Sequence, residues 1–119
     1  MSYVDGFVVP VPKQNLAAYR RMARKAGKAW REHGALAYNE CVADDVKPGK
    51  LTSFPQAVKL KDGEVVVFSW IVYASRRDRD RINKLVMADP RLAAMMDPKS
   101  MPFDGKRMFY GGFKTLVAL

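Results

Sequence analysis

VVVFSWIVYA, residues Val65–Ala74, is the longest nearly unbroken apolar run in the chain, and its β-branched and aromatic residues predict a strand. Strand alternation puts Val65, Val67, Ile71 and Tyr73 on one side and Val66, Phe68, Trp70 and Val72 on the other. Both sides are apolar. A half-solvated antiparallel strand would alternate apolar with polar residues, so this strand is expected to be covered on both faces.

The flanking sequence supplies the rest of the order. Upstream, Asp62-Gly63 between Ala57–Leu60 and Val65–Phe68 predicts a two-residue hairpin, with Ala57–Leu60 as an extra short strand. Downstream, Ser75-x-x-Asp78 caps a helix running to Ala88 with Ile82, Leu85 and Val86 inward. Asp89-Pro90 opens a short helix through Met96. Tyr3–Val11 reads as the first strand, ending in Pro10-Val11-Pro12. Asn15–His33 has a helical period: Tyr19, Met22, Ala23, Ala26, Ala29, Trp30 and His33 share one face, the basic residues share the other, and Gly34 follows as a stop. Ala35–Ala43 is a second strand, and Asp44–Phe54 a long connection rich in turn residues that could close over a site. Met108–Leu119 is the last strand, where Gly111-Gly112 suggests a bulge or a close backbone approach.

The resulting β-α-β, β-α-β order predicts an α+β fold. Right-handed crossovers place both helices on one face of an antiparallel sheet, the ferredoxin-like βαββαβ arrangement. Two helices cover one face only. A second copy packed sheet to sheet is the simplest cover for the other, with long loops folded over the sheet as the rival.

The bulk properties agree with one domain over residues 1–119. A length of 119 residues with 49% hydrophobic and 28% charged content is globular composition. One cysteine, Cys41, excludes an internal disulfide, and the first residues show no signal-peptide pattern, so the expected location is cytoplasmic. The apolar run is half the length of a membrane helix, so no membrane partner is expected. The net charge of +9 brings nucleic acid into view. Between Lys13 and Arg31 there are seven basic residues and no acid. A helix lying on a sheet turns its charges to water without needing a ligand, and RNA-binding sheets of this kind use an exposed face, which here is expected to be buried. Nucleic acid is therefore the alternative partner, through the basic face of the first helix.

Over nearly its whole length the chain also resembles the uncharacterised bacterial family called domain of unknown function 1428 (YbaA-like). The resemblance is carried by Tyr3-Val4-Asp5-Gly6-Phe7, by Trp30-x-x-His33-Gly34-Ala35-Leu36-x-Tyr38-x-Glu40-Cys41, and by Asp44-Asp45. It continues in Phe68-Ser69-Trp70, Arg79-Asp80, Met87-x-Asp89-Pro90 and Phe103-Asp104-Gly105-x-Arg107-Met108-x-Tyr110-Gly111-Gly112-Phe113. The resemblance implies a dimeric α/β barrel and implies no activity.

The candidate chemistry is sparse. His33 is the one side chain with an ordinary titration near neutral pH; it is a candidate general base, against a structural bond at the helix end. Asp5 shares its strand face with Tyr3, Phe7 and Val9, so it must find a partner, Arg107 or another base, or take part in catalysis. Glu40 stands likewise with Leu36 and Tyr38, while Asp44 fits a solvent-facing edge. Cys41, among small residues, fits packing. Tyr38, Trp70, Tyr110 and Arg107 are the candidate ligand-binding wall; Tyr3, Tyr73 and Phe113 also fall on strands. No ligand spacing indicates a metal, and no glycine-rich loop precedes a helix, so no cofactor is expected. The sequence points to a homodimer binding, and on one reading transforming, a small organic molecule between sheet and helices. A purely structural dimer is the other alternative.

Overall fold

The computed structural model describes residues 2–95 and 97–119. Strands β1 (Tyr3–Pro12), β2 (Ala37–Val42), β3 (Glu64–Tyr73) and β4 (Phe109–Lys114) form one antiparallel sheet in the order β2-β3-β1-β4. Helices α1 (Leu16–Glu32), α2 (Phe54–Ala57), α3 (Arg76–Met87) and α4 (Pro90–Ala93) complete the chain. The architecture is α+β. Among the described residues, no helix is long and apolar enough to cross a membrane.

The core explains the two apolar sides of β3. Ile71 and Tyr73 pack with Ala26 and Ala29 of α1 and with Ile82 and Val86 of α3, so both helices cover the same sheet face. Val67 on that face joins Val9, Val11, Tyr19 and Ala23. The opposite face is covered at one end alone: Val58, fully buried, sits on Val8 and Val66. Beyond it, Phe68, Phe109 and Phe113 remain exposed.

The segment before β3 departs from expectation. Ala57–Leu60 is not a strand, and there is no hairpin at Asp62-Gly63. Instead the Ser53 hydroxyl accepts from the Gln56 N–H at 3.2 Å and starts the one-turn helix α2, with Pro55 in its first turn. The Ser53-x-x-Gln56 pattern is a helix start that competes with the hairpin signal. Lys59 at φ 51° and Gly63 at φ 82° then turn the chain, which drops Val58 onto the sheet. Hydrophobic burial of one valine thus outweighs pairing along a short strand.

Four smaller corrections follow from packing. Leu85 is exposed, because Ile82 and Val86 already fill the inward stripe of α3. Gly111 and Gly112 form no bulge; they stay in register opposite Gly6 and Asp5. A Cβ on Gly112 would collide with Arg79 and Tyr3, so the close backbone approach is the reason for that glycine. The last strand stops at Lys114, where the Thr115 N–H bonds to the Ser2 carbonyl, and Leu116–Leu119 is not strand. The helix after Asp89 spans Pro90–Ala93, and its expected end at Met96 lies outside the described residues.

Candidate functional site

A groove lies between α1 and the edge strand β2. Strand alternation turns Tyr38, Glu40 and Val42 towards the helix. The groove has a volume of about 730 Å³, within the range of small-molecule sites. Leu16, Ala23, Val42 and Val67 give it an apolar floor, and Arg20, Arg24 and Lys28 line it from the helix side.

Glu40 is one of its walls. The Tyr19 hydroxyl donates to Oε1 at 2.7 Å and the Tyr38 hydroxyl to Oε2 at 2.7 Å. Burial raises both phenols well above their ordinary value of 10.0, and the Glu40 carboxylate raises them further by charge and by hydrogen bonding. Both therefore remain donors, and the carboxylate is held by two neutral groups rather than by a cation. Among the described residues, Arg20, Arg24 and Lys28 have no ion-pair partner. Sequence reasoning selected Tyr38 and Glu40 but missed Tyr19, whose inward position on α1 read as core.

Gly27 seats the Tyr38 ring. A Cβ there would stand 2.7 Å from the ring, closer than packed carbons allow. Gly27→Ala gains about 1 kcal/mol of helix propensity and loses about 1–3 kcal/mol to overpacking. We expect a net fall in the denaturant midpoint and weaker Tyr38–Glu40 contact, where an exposed helical glycine would give a rise.

The remaining candidates fall in separate networks. Asp5 is 4% exposed and pairs with Arg79, not Arg107. Arg79 Nε donates to both Asp5 oxygens at 3.0 and 3.2 Å, and the Tyr73 hydroxyl donates to Oδ2 at 3.0 Å. The Arg79 guanidinium also lies 5.1 Å from the centre of the Tyr3 ring. Trp30 Nε1 donates to Asn83 Oδ1, which also faces the Tyr73 hydroxyl, so the network joins α1, α3, β1 and β3.

His33 follows α1, and its Nε2–H donates to Asp89 Oδ2 at 2.9 Å. Asp89 caps α4 through the Arg91 N–H and also accepts from the Arg91 side chain. Those bonds, with His33 third, hold the Asp89 carboxyl well below its ordinary value of 3.8. Thus His33 bonds a carboxylate where a backbone carbonyl was the structural expectation. Cys41 is exposed on β2 rather than packed, and Asp44 is exposed beyond it.

Arg107 forks onto Glu64 at 2.6 and 2.7 Å and reaches Asp104 with Nε at 3.0 Å. These bonds tie the Asp104–Arg107 loop to the start of β3. The Arg107 hydrogen bonds lower the Glu64 carboxyl below its ordinary value of 4.5, and Asp104 is lowered for the same first reason. A lowered native value means stability that is present above the unfolded value and lost as pH falls through the native one. The thermal midpoint should therefore decline below about pH 4.5. Glu64→Gln should flatten that acid limb, measurable by melting curves across an acid series; an unchanged limb would remove Glu64 from it.

Trp70 and Tyr110 lie away from Glu40. Trp70 stands on the sheet face turned from the helices, beside Gly6, which faces Gly111 on β4. The two glycines leave a second hollow of about 710 Å³ there, with Phe68, Phe109 and Phe113 among its walls. Tyr110 borders it while stacking on Phe7, ring centres 5.6 Å apart. Phe54 of α2 meets Phe68 edge-on at 5.9 Å, so the long connection is anchored on this face rather than over the groove.

Comparison with known proteins gives relatives but no activity. Uncharacterized protein YbaA of Escherichia coli strain K12 is 53% identical over 117 residues, covering 98% of each chain. The protein of that name from Shigella flexneri matches to the same extent. A solved structure, that of Rv0793 from Mycobacterium tuberculosis, has a TM-score of 0.54 at 13% identity and covers 99% of this chain and 98% of that one, a likeness of fold alone. The family model described as "Protein of unknown function (DUF1428)" matches residues 2–105, and with these relatives it establishes that the chain belongs to that family.

Proposed function

We propose that the protein binds a small organic molecule in the groove between α1 and β2, without a bound cofactor, as a homodimer joined through its sheets in a ferredoxin-like α/β barrel. The observation that carries the ligand reading is the groove itself: a hollow of about 730 Å³ with an apolar floor and, in its wall, a carboxylate fixed by two phenols. Polar groups this well oriented inside an apolar hollow are the usual composition of a ligand site. Tyr38 and Glu40 are the ligand-facing residues in this reading, with Tyr19 added. Asp5, His33 and Arg107 hold elements together. Trp70 belongs to the dimer contact, and Tyr110 borders it.

Support for the dimer is the sheet face that the helices leave bare, where Phe68 is 42%, Phe109 46% and Phe113 64% exposed. Apolar area of this kind is stabilised by association. The unpaired cations of α1 favour polyanion binding as a second reading. That binding should fall steeply with added salt and show no sequence preference in a gel-shift titration.

The ligand reading is tested with Val42→Trp. Val42 is 54% exposed at the groove, so an indole there fills the space with little effect on the core. Ligand-detected NMR with a mixture of aromatic and aliphatic fragments should give hits on the wild type that disappear in the variant. The same hits in both proteins would refute the site.

A further inference from the structure

We infer that the ligand of this groove is an organic anion, a carboxylate or phosphate carried on an apolar body. The inference rests on the ligand reading above and adds its charge. Arg20, Arg24 and Lys28 recur every four residues, so they form one stripe along α1, about 12 Å long. All three line the groove.

Two acids also line it, and neither neutralises this stripe. Glu40 is held by Tyr19 and Tyr38, and Glu32 pairs with Arg91 at 2.7 Å. The further cation of the lining, Arg31, is committed to the carbonyls of Ala35 and Leu36. The groove therefore holds three cations without acidic partners above a floor of Leu16, Ala23, Val42 and Val67. An apolar body fits that floor, and guanidinium and ammonium groups at its edge fit an anionic head, the arginines as two-pronged donors. A cationic ligand would meet four like charges, Arg31 included, while Glu40 is bonded on both oxygens and Glu32 is paired with Arg91.

Four probes sharing one ring system separate the possibilities: 2-naphthoate, 2-naphthyl phosphate, 2-naphthalenemethanol and 2-naphthylmethylamine. Their affinities are measured by calorimetry for the wild type, Arg24→Glu/Lys28→Glu and Val42→Trp. The expected result is that one or both anions bind at least about tenfold more tightly than the alcohol and the amine. That preference should vanish in the charge-reversed variant, and binding itself in Val42→Trp. The better of the two anions identifies the head group. Equal affinity for alcohol, amine and anions, lost in Val42→Trp but kept in the charge-reversed variant, would overturn the anion inference and leave the groove as the site. Binding that survives Val42→Trp, or no binding by any probe, would overturn both.

Discussion

Asp5→Ala should cost about 2–4 kcal/mol. The replacement leaves Arg79, whose side chain is 21% exposed, beside a cavity with Asp80 at 2.8 Å as its remaining acidic partner. It also removes the nearer acceptor of the Tyr73 hydroxyl, on a residue that is fully buried, and leaves Asn83 Oδ1 at 3.2 Å. A domain of this length has a total stability of about 6–18 kcal/mol, so the loss is a large share of it. Much of that cost is the Arg79 Nε–H left without its acceptor in a half-buried site rather than the value of the pair. Asp5→Leu combined with Arg79→Leu should therefore be less damaging than Asp5→Ala alone. Chemical denaturation of the three proteins measures this. A loss below about 1 kcal/mol for Asp5→Ala would show that water reaches the pair and that it behaves as a surface ion pair.

Phe68→Asp with Phe113→Asp should convert the proposed dimer to a monomer. Both side chains are exposed in the single chain, on the sheet face away from the helices, and Phe68 also meets Phe54, so a circular dichroism spectrum like that of the wild type accompanies the test. In a symmetric sheet-to-sheet dimer each carboxylate is buried twice, at a cost of several kcal/mol per charge. Light scattering coupled to gel filtration should report a dimer for the wild type and a monomer for the variant. A wild type that is monomeric at all concentrations, or a variant that remains dimeric, would remove the sheet face as the contact.

Much of the fold was legible because a few local signals are unambiguous. The apolar run of Val65–Ala74 located β3, of which the helices cover one face, and the helical period of Asn15–His33 located α1 to within a residue at each end. Gly34, at φ 121°, ends the helix as a glycine can. Asp62-Gly63 misled, because a turn dipeptide says where the chain reverses and not whether its upstream arm pairs. That arm was decided by Val58, whose burial on Val8 and Val66 is a long-range contact with no local signature.

The site was legible in part for a related reason. Strand alternation placed Tyr38 and Glu40 on one face, and that was enough to select them. It could not distinguish an inward acid that forms a ligand site from one that forms a structural pair. Asp5 and Glu40 look alike in sequence, yet Asp5 meets Arg79 from α3 and Glu40 meets Tyr19 from α1. Partners on distant elements decide the chemistry. Tyr19 was the missed member because a tyrosine on the buried stripe of a helix reads as core, and its ring does pack there. The signal available was its hydroxyl, which a buried tyrosine must satisfy and which needed an acceptor from the sheet.

The central claim is the location of the ligand site, and the most direct measurement is amide chemical-shift mapping during a titration with 2-naphthoate. The account predicts that the shifts gather at Ala23, Gly27, Tyr38 and Val42, around the Tyr19–Glu40–Tyr38 cluster. Shifts gathered instead at Gly6, Trp70 and Gly111, in the hollow on the opposite face of the sheet, would contradict it.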